Sequence, residues 1–180
     1  MAYGREAKPA PTSWNLIKTV LQGMAFWSIF LIVLPILLHR LESTLGLEVY
    51  RFSSSSVRVL GMILFALGSL LALVSCVILA IQGRGTPVPF DCPSRLVTIG
   101  PYRYVRNPMA VSGIVQGAGI GLFFGSPLIL FYILVGLLLA ETIIRPWEEA
   151  DLERRFGDPY REYRRQVPRW FPSTRGYRSK

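Results

Sequence analysis

The chain has 180 residues, 51% of them hydrophobic, with 20 Lys and Arg against 11 Asp and Glu for a net charge of +9. That length suits one domain, residues 1–180, and the long uncharged blocks described below exclude an ordinary soluble globule. The two cysteines, Cys76 inside an apolar block and Cys92 in a polar loop, argue against a disulfide framework or a zinc site, and no metal is expected.

Residues 1–13 are polar and proline-bearing. Residues 19–38 then carry no charge over 20 positions. A hydrocarbon core of roughly 30 Å takes about 20 apolar residues as a helix, so this block predicts a first span over about 17–38. It is too long for a signal-peptide core and lacks an Ala-x-Ala exit, which makes it an anchor. A loop over about 39–58 follows, holding the single histidine, His39, read as interfacial. Its run Ser53-Ser54-Ser55-Ser56 supplies a cap region for a second span over about 58–81. The loop 82–107 contains GRGTPVPFDCP at 83–93, and Pro87, Pro89, Pro93, Pro101 and Pro108 limit its freedom. A loop this stiff shapes a site rather than serving as a tether.

Residues 108–144 hold one charge, Glu141, and are interrupted at Gly125-Ser126-Pro127. The block therefore predicts two spans, about 108–124 and 127–145, joined by a very tight turn. Gly113, Gly117, Gly119 and Gly121 suit close helix packing in the third span. From Trp147 to Arg165 the pattern is an amphipathic helix interrupted at Gly157-Asp158-Pro159. A short second helix, about 159–166, ends at Val167-Pro168. The expected fold is an all-α integral membrane bundle of four transmembrane helices with a cytoplasmic amphipathic tail.

Charge placement supports the even count. With the N-terminus cytoplasmic, the inner segments hold 17 of the 20 basic residues, and the outer loop holds only Arg40, Arg51 and Arg58. The positive-inside rule then puts both termini of a multi-pass protein in the cytoplasm. The same bias explains the net charge without nucleic acid. It suits contact with anionic lipid headgroups at about 1 kcal/mol per basic residue, and the tail arginines read as solvated or lipid-facing.

Two charged clusters carry the chemistry. Arg103, Arg106 and Asn107 precede the helical hairpin, and Arg145, Glu148 and Glu149 follow it, so both lie at one face of the membrane. Charges at this boundary are costly unless they are paired or face a water-filled cavity. One reading makes them ordinary interfacial charges. The other makes them a site for a zwitterionic ligand, with a carboxylate at the helix start after Asn107 and a cation at the glutamates. Glu141 and Arg145 stand at i,i+4, the favoured order for a pair, and Pro146 is expected to bend or end the helix and turn Glu148-Glu149 inward.

The motif GPYRYVRNPM (100–109), followed by RPWEEADLERRFGDPYREYRRQVPRWFP (145–172), resembles the membrane methyltransferase family that includes isoprenylcysteine carboxyl methyltransferases. Phospholipid methyltransferases are similar at a greater distance. The likeness covers about residues 83–172 and implies S-adenosylmethionine as methyl donor, bound in that region. Carried onto this chain it implies Tyr102, Arg106, Asn107, Pro108, Glu148 and Glu149 as cofactor-binding residues. This chain departs from the usual Arg-His-Pro-x-Tyr in having Asn107 and Ala110, which puts the acceptor pocket's shape in question. Asn107 still donates and accepts hydrogen bonds but never becomes a cation.

The implied acceptor is lipid-like or prenylated and enters from the membrane. A carboxylate is already nucleophilic and needs only a cation to orient it, for which Arg145 is the candidate. An amine needs a base, and Glu141 is the candidate. Carboxyl O-methylation of an isoprenylcysteine-like substrate leads, with N-methylation of a phospholipid amine as alternative and a thiol acceptor also open. A non-enzymatic membrane protein with a lipid- or partner-binding basic tail is the competing class.

Overall fold

The computed structural model describes residues 10–86 and 92–178. Pro87 and Pro89, named above, lie outside them, as do Arg5, Lys8 and Lys180 among the inner basic residues. Every regular element among the described residues is helical. Helix α1 (Thr12–Trp27) runs through a π segment (Ser28–Val33) into α2 (Leu34–Thr44), and α3 spans Ser55–Gln82. Helix α4 (Pro108–Phe124) and α5 (Pro127–Leu139) form the expected hairpin. A second π segment (Ala140–Ile144) leads into α6 (Arg145–Phe156), and α7 covers Asp158–Gln166.

Both π segments end two residues before a proline, Pro35 and Pro146. Proline removes an N–H and crowds the carbonyl four residues back. A wider turn relieves that clash without breaking the helix. Pro146 therefore neither ends nor interrupts the last apolar helix, which continues from Pro127 to Phe156 over 30 residues. Thr12–Thr44, Ser55–Gln82 and Pro127–Phe156 are each long and apolar enough to cross a membrane, whereas apolar α4, at 17 residues, is shorter.

The turn between α4 and α5 forms for local reasons. Gly125 has φ of 60° and closes α4, a conformation costly for any residue with a Cβ. Ser126 then caps α5, its Oγ accepting from the Ile129 N–H at 3.1 Å. The serine run supplies the N-cap of α3, Ser54, as expected, but without a side-chain cap bond, and Ser53 Oγ accepts from Arg58.

At this turn a buried carboxylate ties the bundle together. Glu42, 1% exposed, accepts from Ser126 Oγ at 2.6 Å, from the Leu128 N–H at 2.9 Å and from Arg51 Nε at 2.9 Å. It thereby joins the end of α2 to the start of α5, where a helix N-terminus favours an anion. His39, expected as a plain interfacial residue, lies 3.8 Å from the same carboxylate.

Helices α3 and α4 pack backbone to backbone. A Cβ on Gly119 would stand 2.6 Å from the Gly61 carbonyl, and one on Gly61 would stand 2.6 Å from the Gly119 carbonyl. Gly117 and Gly121 instead receive Ile133 and Leu130 of α5, and Gly113 touches nothing within 4 Å. Small residues here let helices approach where lipid supplies no hydrophobic drive between them. Beyond α5 the tail builds its own core from Tyr160, Tyr163 and Val167, flanked by Leu96, Leu152, Phe156 and Tyr177.

Candidate active site

The antiparallel course of the helices brings residues 100–107, the end of the last apolar helix and the tail to one end of the bundle. Three main-chain bonds fasten the strap after α7 to the first motif. The Arg106 N–H donates to the Pro168 carbonyl (2.9 Å), Ser173 to Tyr104 (2.8 Å) and Tyr177 to Arg103 (2.9 Å). Tyr163 Oη adds a bond to the Tyr102 carbonyl at 2.5 Å.

Within this frame the two charged clusters meet. Arg106 Nη1 lies 2.5 Å from Glu149 Oε1, with side-chain exposures of only 12% and 11%. Arg169 grips the same carboxylate at both oxygens, Nε to Oε1 at 3.0 Å and Nη2 to Oε2 at 2.9 Å. Its Nη1 also donates to Glu141 Oε1, while Trp170 Nε1 donates to Glu141 Oε2 at 2.8 Å. Arg164 stands 3.7 Å from Glu149. Burial pulls the Arg169 guanidinium toward deprotonation, but hydrogen bonding and charge from Glu149, with Glu141 beyond, more than offset it and raise its pKa.

Arg145 is paired with Glu148 one turn along the same helix. It does not pair with Glu141, as the i,i+4 spacing leads one to expect. Glu141 lies inside the π segment Ala140–Ile144, which ends just before Arg145, and its wider turn changes the angular register on which i,i+4 pairing depends. Arg106 Nε and Arg145 Nε are both buried without a hydrogen-bond partner.

The remaining expected residues sit apart from the charges. Asn107 is the N-cap of α4, with Oδ1 accepting from the Ala110 N–H at 3.2 Å, and Pro108 is the buried first residue of that helix. Tyr102 points into the bundle, its Oη 3.5 Å from the Ser75 carbonyl, and burial pushes its pKa well up. These three shape the frame that presents Arg106.

In the sequence Arg169 is one of many tail arginines, which read as solvated or lipid-facing, so neither it nor Trp170 stands out. The strap sequence VPRWFP offered one signal: a tryptophan beside an arginine, bracketed by prolines. Arg155 is engaged as well, donating to the Pro93 carbonyl and pairing with buried Asp151 at 3.4 Å. These contacts fasten the 93–95 end of the stiff loop to α6.

The model of the phospholipid methyltransferase family matches residues 56–159. That stretch runs from the start of α3 into α7 and holds Arg106, Glu141, Arg145, Glu148 and Glu149, but ends before Arg169. A Protein-S-isoprenylcysteine O-methyltransferase of Schizosaccharomyces pombe (strain 972 / ATCC 24843) is 35% identical over 79 residues, 43% of this chain and 33% of that relative. The matched segment thus spans about a third of the relative's length. No solved structure matches. With more than half of its length matched, and the paired charges inside the matched stretch, the chain belongs to the phospholipid methyltransferase family of membrane methyltransferases.

Proposed function

We propose that the protein is an S-adenosylmethionine-dependent methyltransferase acting on a lipid-like acceptor within the membrane. In this reading α4 and α5 are two of four spans, both termini are cytoplasmic, and residues 83–172 hold the donor. The observation that carries it is the meeting of Arg106 and Glu149 at 2.5 Å, which makes one partly buried site of two distant motifs.

The residues present fit a zwitterionic donor. Glu149 and Glu148 offer carboxylates to its ammonium and sulfonium. The unpartnered N–H of Arg106 Nε is a buried donor for its carboxylate. A buried donor left unpaired costs about 1–3 kcal/mol, so an anion that reaches it is favoured. When bound, the donor supplies an electrophilic methyl group to an in-line displacement. The chain's own part is then to orient the reactants and exclude water. Asn107, Pro108 and Tyr102 do so indirectly, by fixing the start of α4 and the backbone that carries Arg106.

Carboxyl O-methylation of an isoprenylcysteine-like acceptor is the leading reaction. Both oxygens of Glu141 already accept hydrogen bonds, from Arg169 and from Trp170, which leaves it poorly placed to take a proton from an amine. A carboxylate acceptor needs no base, and Arg145 is the cation that orients it. The likeness to an isoprenylcysteine methyltransferase supports the same choice. N-methylation of a phospholipid amine is the second reading, favoured by the description of the matching family model.

The test is to incubate purified protein with methyl-labelled donor and membrane extract, then identify the labelled lipid. A product that loses its label in mild base is an ester and supports the leading reaction. A base-stable methylamine supports the second, and absence of any labelled species overturns both.

A further inference from the structure

Glu149 is over-supplied with cations. Arg106 reaches it from the first motif, Arg169 from the strap on both oxygens, and Arg164 from α7 at 3.7 Å. Arg106 and Arg169 share one oxygen, Oε1, so two like charges are held side by side. Such an arrangement is stable only while carboxylates outweigh the repulsion, and Glu141 supplies the second one.

Resting on the donor reading above, we propose that Arg169 is a resident cation occupying the subsite of the donor's ammonium, and that it yields this place when the donor binds. An incoming ammonium needs a carboxylate, and both Glu149 oxygens already accept from guanidinium groups. A further cation there is favoured only if one guanidinium leaves. Arg106 is the less able to move: it stands just before the α4 N-terminus and is 12% exposed. Arg169 is 22% exposed and arises from a strap whose main chain is pinned independently at Pro168, Ser173 and Tyr177. Its long side chain can swing to solvent while the backbone stays in place. The exchange replaces one cation by another at the same carboxylate, so neither the charge of the cluster nor any covalent bond changes.

A resident cation competes with the ligand, and its removal therefore tightens binding. A residue that contacts the donor or holds the fold has the opposite sign. The experiment measures dissociation constants by calorimetry for the full chain in detergent, comparing wild type, R169Q and R169K. The probes are S-adenosylmethionine and methylthioadenosine, a neutral thioether that keeps the adenosine but lacks the ammonium, the carboxylate and the sulfonium charge. The proposal expects R169Q to bind S-adenosylmethionine about tenfold tighter, a gain of 1.4 kcal/mol, with methylthioadenosine affinity unchanged. R169K, which lacks the bidentate fork, falls between R169Q and wild type. Equal or weaker binding of S-adenosylmethionine by R169Q overturns the proposal. If R169Q loses its cooperative melting transition, R169K decides: a several-fold gain supports the proposal and no gain overturns it. A wild type that binds neither probe removes the donor reading and this proposal with it. A wild type that binds beside variants that gain nothing removes this proposal alone.

Discussion

Arg106 and Glu149 stand 43 residues apart in the chain, yet Nη1 of one lies 2.5 Å from Oε1 of the other. The α4–α5 hairpin makes this possible, because its two arms return the chain to the end it left. Both side chains are nearly withdrawn from water, so the pair depends on mutual satisfaction. Breaking a buried pair leaves an uncompensated charge and costs about 3–5 kcal/mol, while replacing both partners by apolar groups is often neutral.

Glu149→Met alone, which leaves Arg106 unpaired and beside Arg169, is therefore expected to lower stability by about 3–5 kcal/mol. Restoring balance with Arg106→Met and Glu149→Met together should recover part of the loss. Partial recovery is expected because Arg169 loses its bidentate partner in the double variant and keeps only Glu141. Thermal or chemical unfolding in detergent, read as a double-mutant cycle, checks the coupling.

Glu42 makes the corresponding prediction at the opposite end. Glu42→Gln keeps the shape but removes the buried charge that faces Arg51 at 2.9 Å, leaving the half-buried guanidinium only one carboxylate, that of the exposed Glu48 at 3.8 Å. Stability should fall by about 3–5 kcal/mol. Donor affinity, measured on the folded fraction, should remain within twofold, since the latch lies at the far end of the hairpin.

The glycines of α4 separate into two classes. A methyl group at Gly119 meets the Gly61 carbonyl at 2.6 Å and the Phe65 N at 2.8 Å, both backbone atoms that cannot yield without moving a helix. Gly119→Ala should cost about 1–3 kcal/mol as overpacking. Gly113→Ala meets nothing within 4 Å and should be neutral or stabilising. Melting temperatures of the two variants give the contrast directly.

The tyrosine core of the tail predicts an alkaline limit. Burial, with the Glu149 charge nearby, pushes the Tyr160 phenol from its ordinary value of 10.0 up to about 12. Burial raises Tyr163 as well. A phenol raised in the folded state contributes stability that is fully present below pH 10 and is lost as pH climbs toward 12. Unfolding free energy should therefore fall across that window. Tyr160→Phe should flatten the fall, and ultraviolet titration should show this phenol ionising late.

Much of the bundle was legible in the sequence because the physics there is local. Uncharged runs of 20 and 23 residues marked helices, and Gly125-Ser126-Pro127 marked a turn whose αL glycine and serine cap both form. Arg106 and Glu149 were named from the same pattern. What escaped depended on tertiary contacts. The wide turn before Pro146 keeps continuous a helix that this proline is expected to bend or end, and it removes the Glu141–Arg145 pair. Arg169 looks no different from its neighbours until the strap folds across the first motif. Glu42 is a single acidic residue in a loop-proximal helix, and only the distant Ser126 and Leu128 give it a purpose.

The central claim is that the converged charges of the first motif and the post-hairpin helix hold the methyl donor. Equilibrium binding of labelled S-adenosylmethionine to purified wild type and Glu149→Ala, with folding verified by melting, tests it most directly. Saturable binding by wild type, abolished in the variant, is the predicted result. Undiminished saturable binding by folded Glu149→Ala, or none by wild type, would contradict it.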